Sequence, residues 1–339
     1  MGGLDPQAES PGLVSRPRAW LDGGMYAVPH DFLHRPFARA EALASGITRG
    51  VLQGRQFVRV YDGVYCHRGH EPSFADRIAA ARLALPDGAL TTGVTRLQEL
   101  GIDVGPRWPL HFVVEGDHHL AIDGIFLHRT VKIPPNDGVV VSVEAAFVAF
   151  CATVRMIDAI KVGSLLLHRG DLRLGRLDEL LAEERWRRGA AETSYVLPFL
   201  DGRCRSIPEA ELVAYVGFGG LATPEVNKQV VLADGTALTP DLWFEELGVA
   251  VEYEGAHHQD DRTQYNADID RYACYRRNSV AYELVTKERM RTPRTVVRTI
   301  HAALVARGYV GPAPDFGETW EMLFRPLSEL VRARVRHRR

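Results

Sequence analysis

Residues 240–271 constrain this chain more than any other stretch, because they set ionisable side chains at strand-like and helix-like spacings within an apolar run. Pro240-Asp241-Leu242-Trp243-Phe244 reads as the start of a strand and Glu245-Glu246-Leu247-Gly248 as a tight turn. Val249-Ala250-Val251-Glu252-Tyr253-Glu254 then reads as a second, antiparallel strand, rich in β-branched and aromatic residues. Alternate residues of a strand point to one face, so Glu252 and Glu254 share a face and the hairpin brings Asp241 beside them. Carboxylates that close repel one another unless something neutralises them. A divalent cation does so, and hard Mg²⁺ (or Mn²⁺) takes carboxylate oxygen and water. Such an ion orients a water for attack on a phosphodiester. The competing reading is a hairpin with solvated acids, and the apolar run from 249 to 253 argues against a strand exposed on both faces.

Pro240-Asp241, followed eleven residues on by an acidic-x-acidic pair, resembles the PD-(D/E)xK nuclease superfamily. The continuation, Glu252-Tyr253-Glu254-Gly255-x-x-His258 and then Asp268-x-x-Arg271, is similar to its very-short-patch-repair-like endonuclease domains, catalogued as domain of unknown function 559. In that branch an acidic residue commonly stands where the superfamily lysine would be, and Glu254 follows the variant. The resemblance implies a restriction-endonuclease-like core with Asp241 and Glu252 as Mg²⁺ ligands, Glu254 completing the acidic site, and His258 in proton transfer. It also implies that Glu209 points from the first helix of that core towards the metal. The spacing of Ser206 and Glu209 equally suits a capping box, and both roles stay open. Glu211, its neighbour, is expected to be exposed.

The strand expected over Val226 to Leu232 carries Lys228, either a substitute for the motif lysine or a solvated residue. Asp268 and Arg271 stand at i,i+3 on a helix expected from Gln264 to Arg277. There a structural ion pair is the preferred reading, with a phosphate contact by Arg271 as the other. A strand to Thr286 and a covering helix from Thr292 to Arg307 complete an order of helix, three antiparallel strands, helix, strand, helix.

At 339 residues the chain is long enough for about two domains. Its net charge of −2 means that any nucleic-acid surface is local. Four scattered cysteines form no CxxC pair and suggest reduced, buried thiols. The first residues lack the pattern of a signal peptide and no apolar run approaches a membrane span, so a cytoplasmic protein without membrane contact is expected.

Residues 1–27 read as a flexible leader and 28–101 as a small domain with spacer helices. A helix from about Phe37, a Ser45-Gly46 break, a second helix capped by Thr48, and a hairpin around Asp62-Gly63 give the order of a winged helix-turn-helix. This stretch resembles the N-terminal domain of AbiEi-type abortive-infection antitoxins. The resemblance makes Arg49, Arg55 and Arg59 candidates for DNA contact; a helical adaptor that touches no DNA is the alternative.

Residues 102–200 read as a strand hairpin over 109–131 followed by a helical linker, with Asp117, His118 and His119 in a solvated turn rather than a metal site. Residues 201–308 form the endonuclease-like domain, and 309–339 a basic tail ending in Arg332, Arg334, Arg336, Arg338 and Arg339. The expected fold class is therefore α/β (α+β): a winged helix, a helical middle and a mixed sheet flanked by helices. The expected function is metal-dependent cleavage of DNA, in phage defence or repair. The alternative is a non-catalytic DNA-binding regulator of the antitoxin kind, with a cognate toxin as partner.

Overall fold

A computed structural model describes residues 20–21, 25–255 and 262–337, with side chains over 26–255 and 269–335. The chain divides into two compact units, 1–87 and 88–339. The expected leader falls almost wholly outside the described residues.

In the first unit, strand β1 (Phe37–Ala38) leads into helix α1 (Arg39–Ala44) and the one-turn helix α2 (Arg49–Leu52). The Thr48 hydroxyl accepts the Val51 N–H at 3.4 Å and so starts α2 as expected. Strands β2 (Phe57–Tyr61) and β3 (Val64–His67) pair antiparallel around the Asp62-Gly63 turn, where Gly63 adopts φ +73°. Strand β1 pairs with β3 on the other side, giving the order β1-β3-β2. Helix α3 (Phe74–Ala84) follows behind a capping box between Ser73 and Asp76. Phe32, Phe37, Ala42, Ile47, Leu52, Phe57 and Tyr65 form the core. Helix, turn, helix and hairpin thus follow one another in winged-helix order.

The second unit begins with strand β4 (Leu90–Thr91), helix α4 (Gly93–Glu99) and strands β5 (Leu110–Glu115) and β6 (Ile125–Thr130). Here the expected hairpin is corrected. β5 and β6 run parallel, Leu110 beside Ile125 through Glu115 beside Thr130, while β4 pairs antiparallel with β5. Residues 116–124 therefore carry the chain back along the strand instead of turning it. Asp117 and His119 in this segment are exposed and bind each other at 3.1 Å, with Arg129 on Asp117, so the segment is solvated as expected although it is not a hairpin turn.

Helix α5 (Val143–Cys151) is buried on nearly every side, which explains its almost uninterrupted apolar sequence. Around it lie helices α6 (Met156–His168), α7 (Leu174–Glu183) and α8 (Ala190–Val196). Helix α9 (Ile207–Phe218) opens the second sheet of this unit, whose strands are β7 (Glu225–Val226), β8 (Leu242–Phe244), β9 (Val249–Glu254) and, after helix α10 (Arg262–Arg277), β10 (Ala281–Thr286). The order is β10-β9-β8-β7. β7, β8 and β9 are antiparallel, and the crossover through α10 makes β10 parallel to β9.

The expected first strand, Val226 to Leu232, is broken. Asn227 takes φ +49° and donates its N–H to the Asp241 carbonyl at 3.0 Å, and Val230–Val231 instead pair with Ala237–Leu238 in a separate ribbon.

Helix α11 (Pro293–Val305) and α9 cover one face of this sheet, against Leu242, Phe244, Val249 and Val251. Trp243 and Ala250 face the other way, onto Cys274 and Tyr275 of α10. The core of the second unit does not divide at residue 201: one cluster holds buried side chains from Leu90 to Leu330. The expected basic tail belongs to it too. Helices α12 (Glu318–Met322) and α13 (Leu327–His337) bury Trp320, Leu323, Leu327 and Leu330. Ile157 donates to the Leu323 carbonyl at 2.9 Å, and Leu327 to that of Val154 at 3.0 Å.

Gly189, at the start of α8, has φ +97°, and a Cβ there would lie 1.9 Å from the Val148 carbonyl oxygen of α5. Left-handed strain and the backbone clash add, so Gly189→Ala is expected to destabilise the second unit by about 2–5 kcal/mol in urea denaturation. Unchanged stability would contradict the close α5–α8 approach.

Candidate functional site

The pairing of β8 with β9 sets Leu242 opposite Val251 and Trp243 opposite Ala250. One step further along the same register, Asp241 stands opposite Glu252, on the face that α10 covers. Asp241 Oδ2 accepts the Tyr253 N–H at 2.7 Å, which fixes the carboxyl at the strand junction. Glu252 is buried, only 5% exposed. Two side chains of α10 reach it across the face: the Tyr275 hydroxyl donates to Oε1 at 2.5 Å, and Arg271 Nε lies 3.0 Å from the same oxygen. The Arg271 contact meets the distance of an ion pair without the alignment of a hydrogen bond, since Nε is buried with no aligned acceptor. Arg271 also donates to the Thr239 carbonyl, two residues before Asp241.

Glu209 approaches from the second residue pair of α9. It is 8% exposed, and its Oε2 accepts the Arg205 N–H at 2.8 Å and the Asn227 amide at 2.6 Å. Ser206 Oγ accepts the Glu209 N–H at 3.3 Å, so half of the expected capping box forms. The other half shifts one residue back, from Ser206 to Arg205. Asn227 ties this carboxylate to the site, because its own N–H holds the Asp241 carbonyl. Glu211 is not exposed as expected: it is half-buried, bound by Lys161 at 3.3 Å and by the Tyr215 hydroxyl at 2.6 Å.

The electrostatics follow from this crowding. Burial, then the charge of Glu252, push the Asp241 carboxyl up to about 7; Glu209 adds to the rise, while the Tyr253 N–H and Arg271 oppose it. Burial disfavours the Arg271 charge, but Glu252, Tyr275 and Asp241 outweigh it and hold the guanidinium above its ordinary value. Burial and Glu252 push the Tyr275 hydroxyl up, so it remains a donor.

Glu254 lies two residues along β9 from Glu252, half-buried and level with Thr286 of β10. Lys228 lies outside the strands and binds Glu245 at 2.6 Å, with Glu225 at 3.9 Å, in an exposed cluster. Arg271 pairs with Glu252, nineteen residues away in sequence, and the Asp268 side chain lies outside the described residues, as does His258. In the first unit Arg49, Arg55 and Arg59 are all exposed, and Arg59 is paired with Asp62 at 2.6 Å. The sequence reading missed Tyr275 and Asn227. A tyrosine seven residues beyond Asp268 on one helix face was a usable signal for the first; nothing local marks the second.

Among the described residues no three His, Cys, Asp or Glu side chains meet at metal-binding separation. Mg²⁺, however, is commonly seated by one or two carboxylates with water and substrate phosphate making up the rest. The Asp241–Glu252 pair fits that demand: hard oxygen donors, buried, with the Asp241 carboxyl pushed up by burial and by its neighbour Glu252.

No family model matches the chain. It is similar to two proteins of Mycobacterium tuberculosis, "Uncharacterized protein MT2308" of strain CDC 1551 / Oshkosh and "Uncharacterized protein Rv2248" of strain ATCC 25618 / H37Rv. Each is 26% identical over 200 residues, covering 58% of this chain and 73% of the relative. Among the described residues no helix is long and apolar enough to cross a membrane.

Folding lifts the Asp241 carboxyl from an ordinary 3.8 to about 7, so the folded state binds its proton more tightly than the unfolded state does. The contribution of this group to stability is therefore full below about pH 4 and is lost as pH rises to about 7, by roughly 4 kcal/mol in all. Asp241→Asn keeps an acceptor for Tyr253 and removes the charge. Without divalent cations it should flatten that pH slope and be the more stable form at about pH 8. Urea denaturation across this range measures it, and equal slopes in both proteins would contradict the burial of a charged pair.

Proposed function

We propose that this chain is a metal-dependent endodeoxyribonuclease that hydrolyses phosphodiester bonds. The observation that carries the reading is the buried Asp241–Glu252 pair at the junction of two antiparallel strands, with Glu209 beside it on the preceding helix. Asp241, Glu252 and, at the next remove, Glu209 would hold Mg²⁺ or Mn²⁺. The bound ion would supply Lewis-acid polarisation of a phosphate oxygen and a more acidic water.

The remaining chemistry belongs to the chain. The Tyr253 N–H aims the Asp241 carboxylate, and Tyr275 and Arg271 fix that of Glu252. Glu254, two residues along β9 and on the same face as Glu252, would take a proton from the attacking water. His258 is the other proton-transfer group that the family resemblance names. Arg271 stands beside the carboxylates and can balance the charge of a phosphate there. The first unit, with Arg49 and Arg55 exposed and Arg59 tied to Asp62, would serve to hold duplex DNA.

One observation favours a second reading. Arg271 already supplies Glu252 with a positive charge, as it would in a nuclease fold retained only for binding. The chain would then be a non-catalytic DNA-binding regulator of the antitoxin kind, with a cognate toxin as partner.

The two readings separate on supercoiled plasmid. Nicking should require Mg²⁺ or Mn²⁺ and fall at least about a hundredfold in Asp241→Ala. Tyr275→Phe, which removes only a group orienting Glu252, should cost about tenfold. Intact, salt-sensitive DNA binding without metal-dependent nicking would give the regulator reading its place.

A further inference from the structure

Far along the chain from the carboxylates, the second unit holds a cavity of about 560 Å³ between β6, α5 and the segment 186–188. Small side chains, Ala149 and Ala152 among them, form its α5 side. Phe126 and Trp186 line it while about half exposed, at 49% and 53%. Three arginines, Arg129, Arg187 and Arg188, are among the residues that line it, and no aspartate or glutamate is.

The aromatic groups here are already ordered. The His111 and His128 rings meet at 2.9 Å between Nδ1 and Nε2, and Phe126 packs 4.6 Å from His128 and 5.5 Å from His111. Burial, then His111 and Arg188, push His128 down to about 4, so it stays a neutral hydrogen-bonding group. Arg187 lies 4.7 Å over the Trp186 ring and is bound by Glu184, and Arg129 is bound by Asp117. Arg188 is exposed and has no carboxylate partner among the described residues. Its charge bears on His128, which it helps to depress.

A cavity of this size suits a small ligand. Half-exposed aromatic faces stack any base, and an uncompensated guanidinium takes phosphate. We infer that this cavity binds a nucleotide, its base against Phe126 and Trp186 and its phosphate on Arg188. The inference is independent of the carboxylate site, since no residue is shared. The nucleotide can be a free mononucleotide or the phosphorylated end of a strand, and the chemistry is common to both.

Calorimetric titration of the full chain with adenosine monophosphate, a 5′-phosphorylated adenylate tetramer and inorganic phosphate, without divalent cations, tests it. Saturable nucleotide binding with Kd below about 1 mM is expected, weakened about tenfold or more in Arg188→Ala and in Phe126→Ala. Both residues are exposed enough for the substitutions to leave the fold intact, which circular dichroism checks. Tighter binding of the tetramer assigns the site to a strand end, and equal or tighter binding of the monophosphate to a free nucleotide. Absence of saturable binding by either, binding unchanged in both variants, or phosphate alone binding as tightly as the monophosphate would overturn the proposal.

Discussion

Strand register between β8 and β9 brings Asp241 and Glu252 together on a face of the sheet that a helix then covers. Two like charges in that position oppose folding, and the surrounding structure reads as the set of contacts that limits the cost. The Tyr253 N–H meets one carboxyl, and the Tyr275 hydroxyl and Arg271 meet the other. They do not offset the burial of Asp241 and the charge of Glu252, which push the Asp241 carboxyl up to about 7. A residual want of positive charge is a poor feature for stability and a good one for seating a cation.

That arrangement needs a stiff support, because a carboxylate pair displaced by an ångström loses its geometry. The support is a sheet packed on both faces: α9 and α11 on one, α10 on the other. It is extended by the middle helices, whose core is continuous with that of the sheet. The C-terminal helices close it, and their backbone bonds to α6 and its preceding turn tie the end of the second unit to its helical middle. α10 has a double role, carrying the chain to the parallel strand β10 and presenting Arg271 and Tyr275 to Glu252.

Much of this was legible in the sequence where the signal is local. The alternation of 249–254, the Gly248 turn, the Asp62-Gly63 hairpin and the Ser206 cap each have one dominant backbone solution, and the structure adopts it. Signals that depend on partners distant in the chain were not legible. Alternation over 110–115 and 125–130 is the same for a hairpin and for a parallel pair, so the parallel pairing could not be read. The break at Asn227 arises from its bonds to Asp241 and Glu209, which no neighbouring residue announces. Arg271 looked like the partner of a helix neighbour, and its pairing with Glu252 emerges only when α10 is laid across the sheet. The arginines of the last segment hid the apolar spacing of Trp320, Leu323, Leu327 and Leu330, which is what anchors it.

We propose that the carboxylates form a cation seat and that, without the cation, a proton on Asp241 partly offsets their charge. Mn²⁺ titration by calorimetry, repeated in buffers of different ionisation enthalpy, counts the protons displaced by the metal. The account predicts release of about one proton at about pH 6, falling to about none at about pH 8.5, as a group near 7 requires. Metal binding without proton release at either pH, or no binding at all, would contradict it.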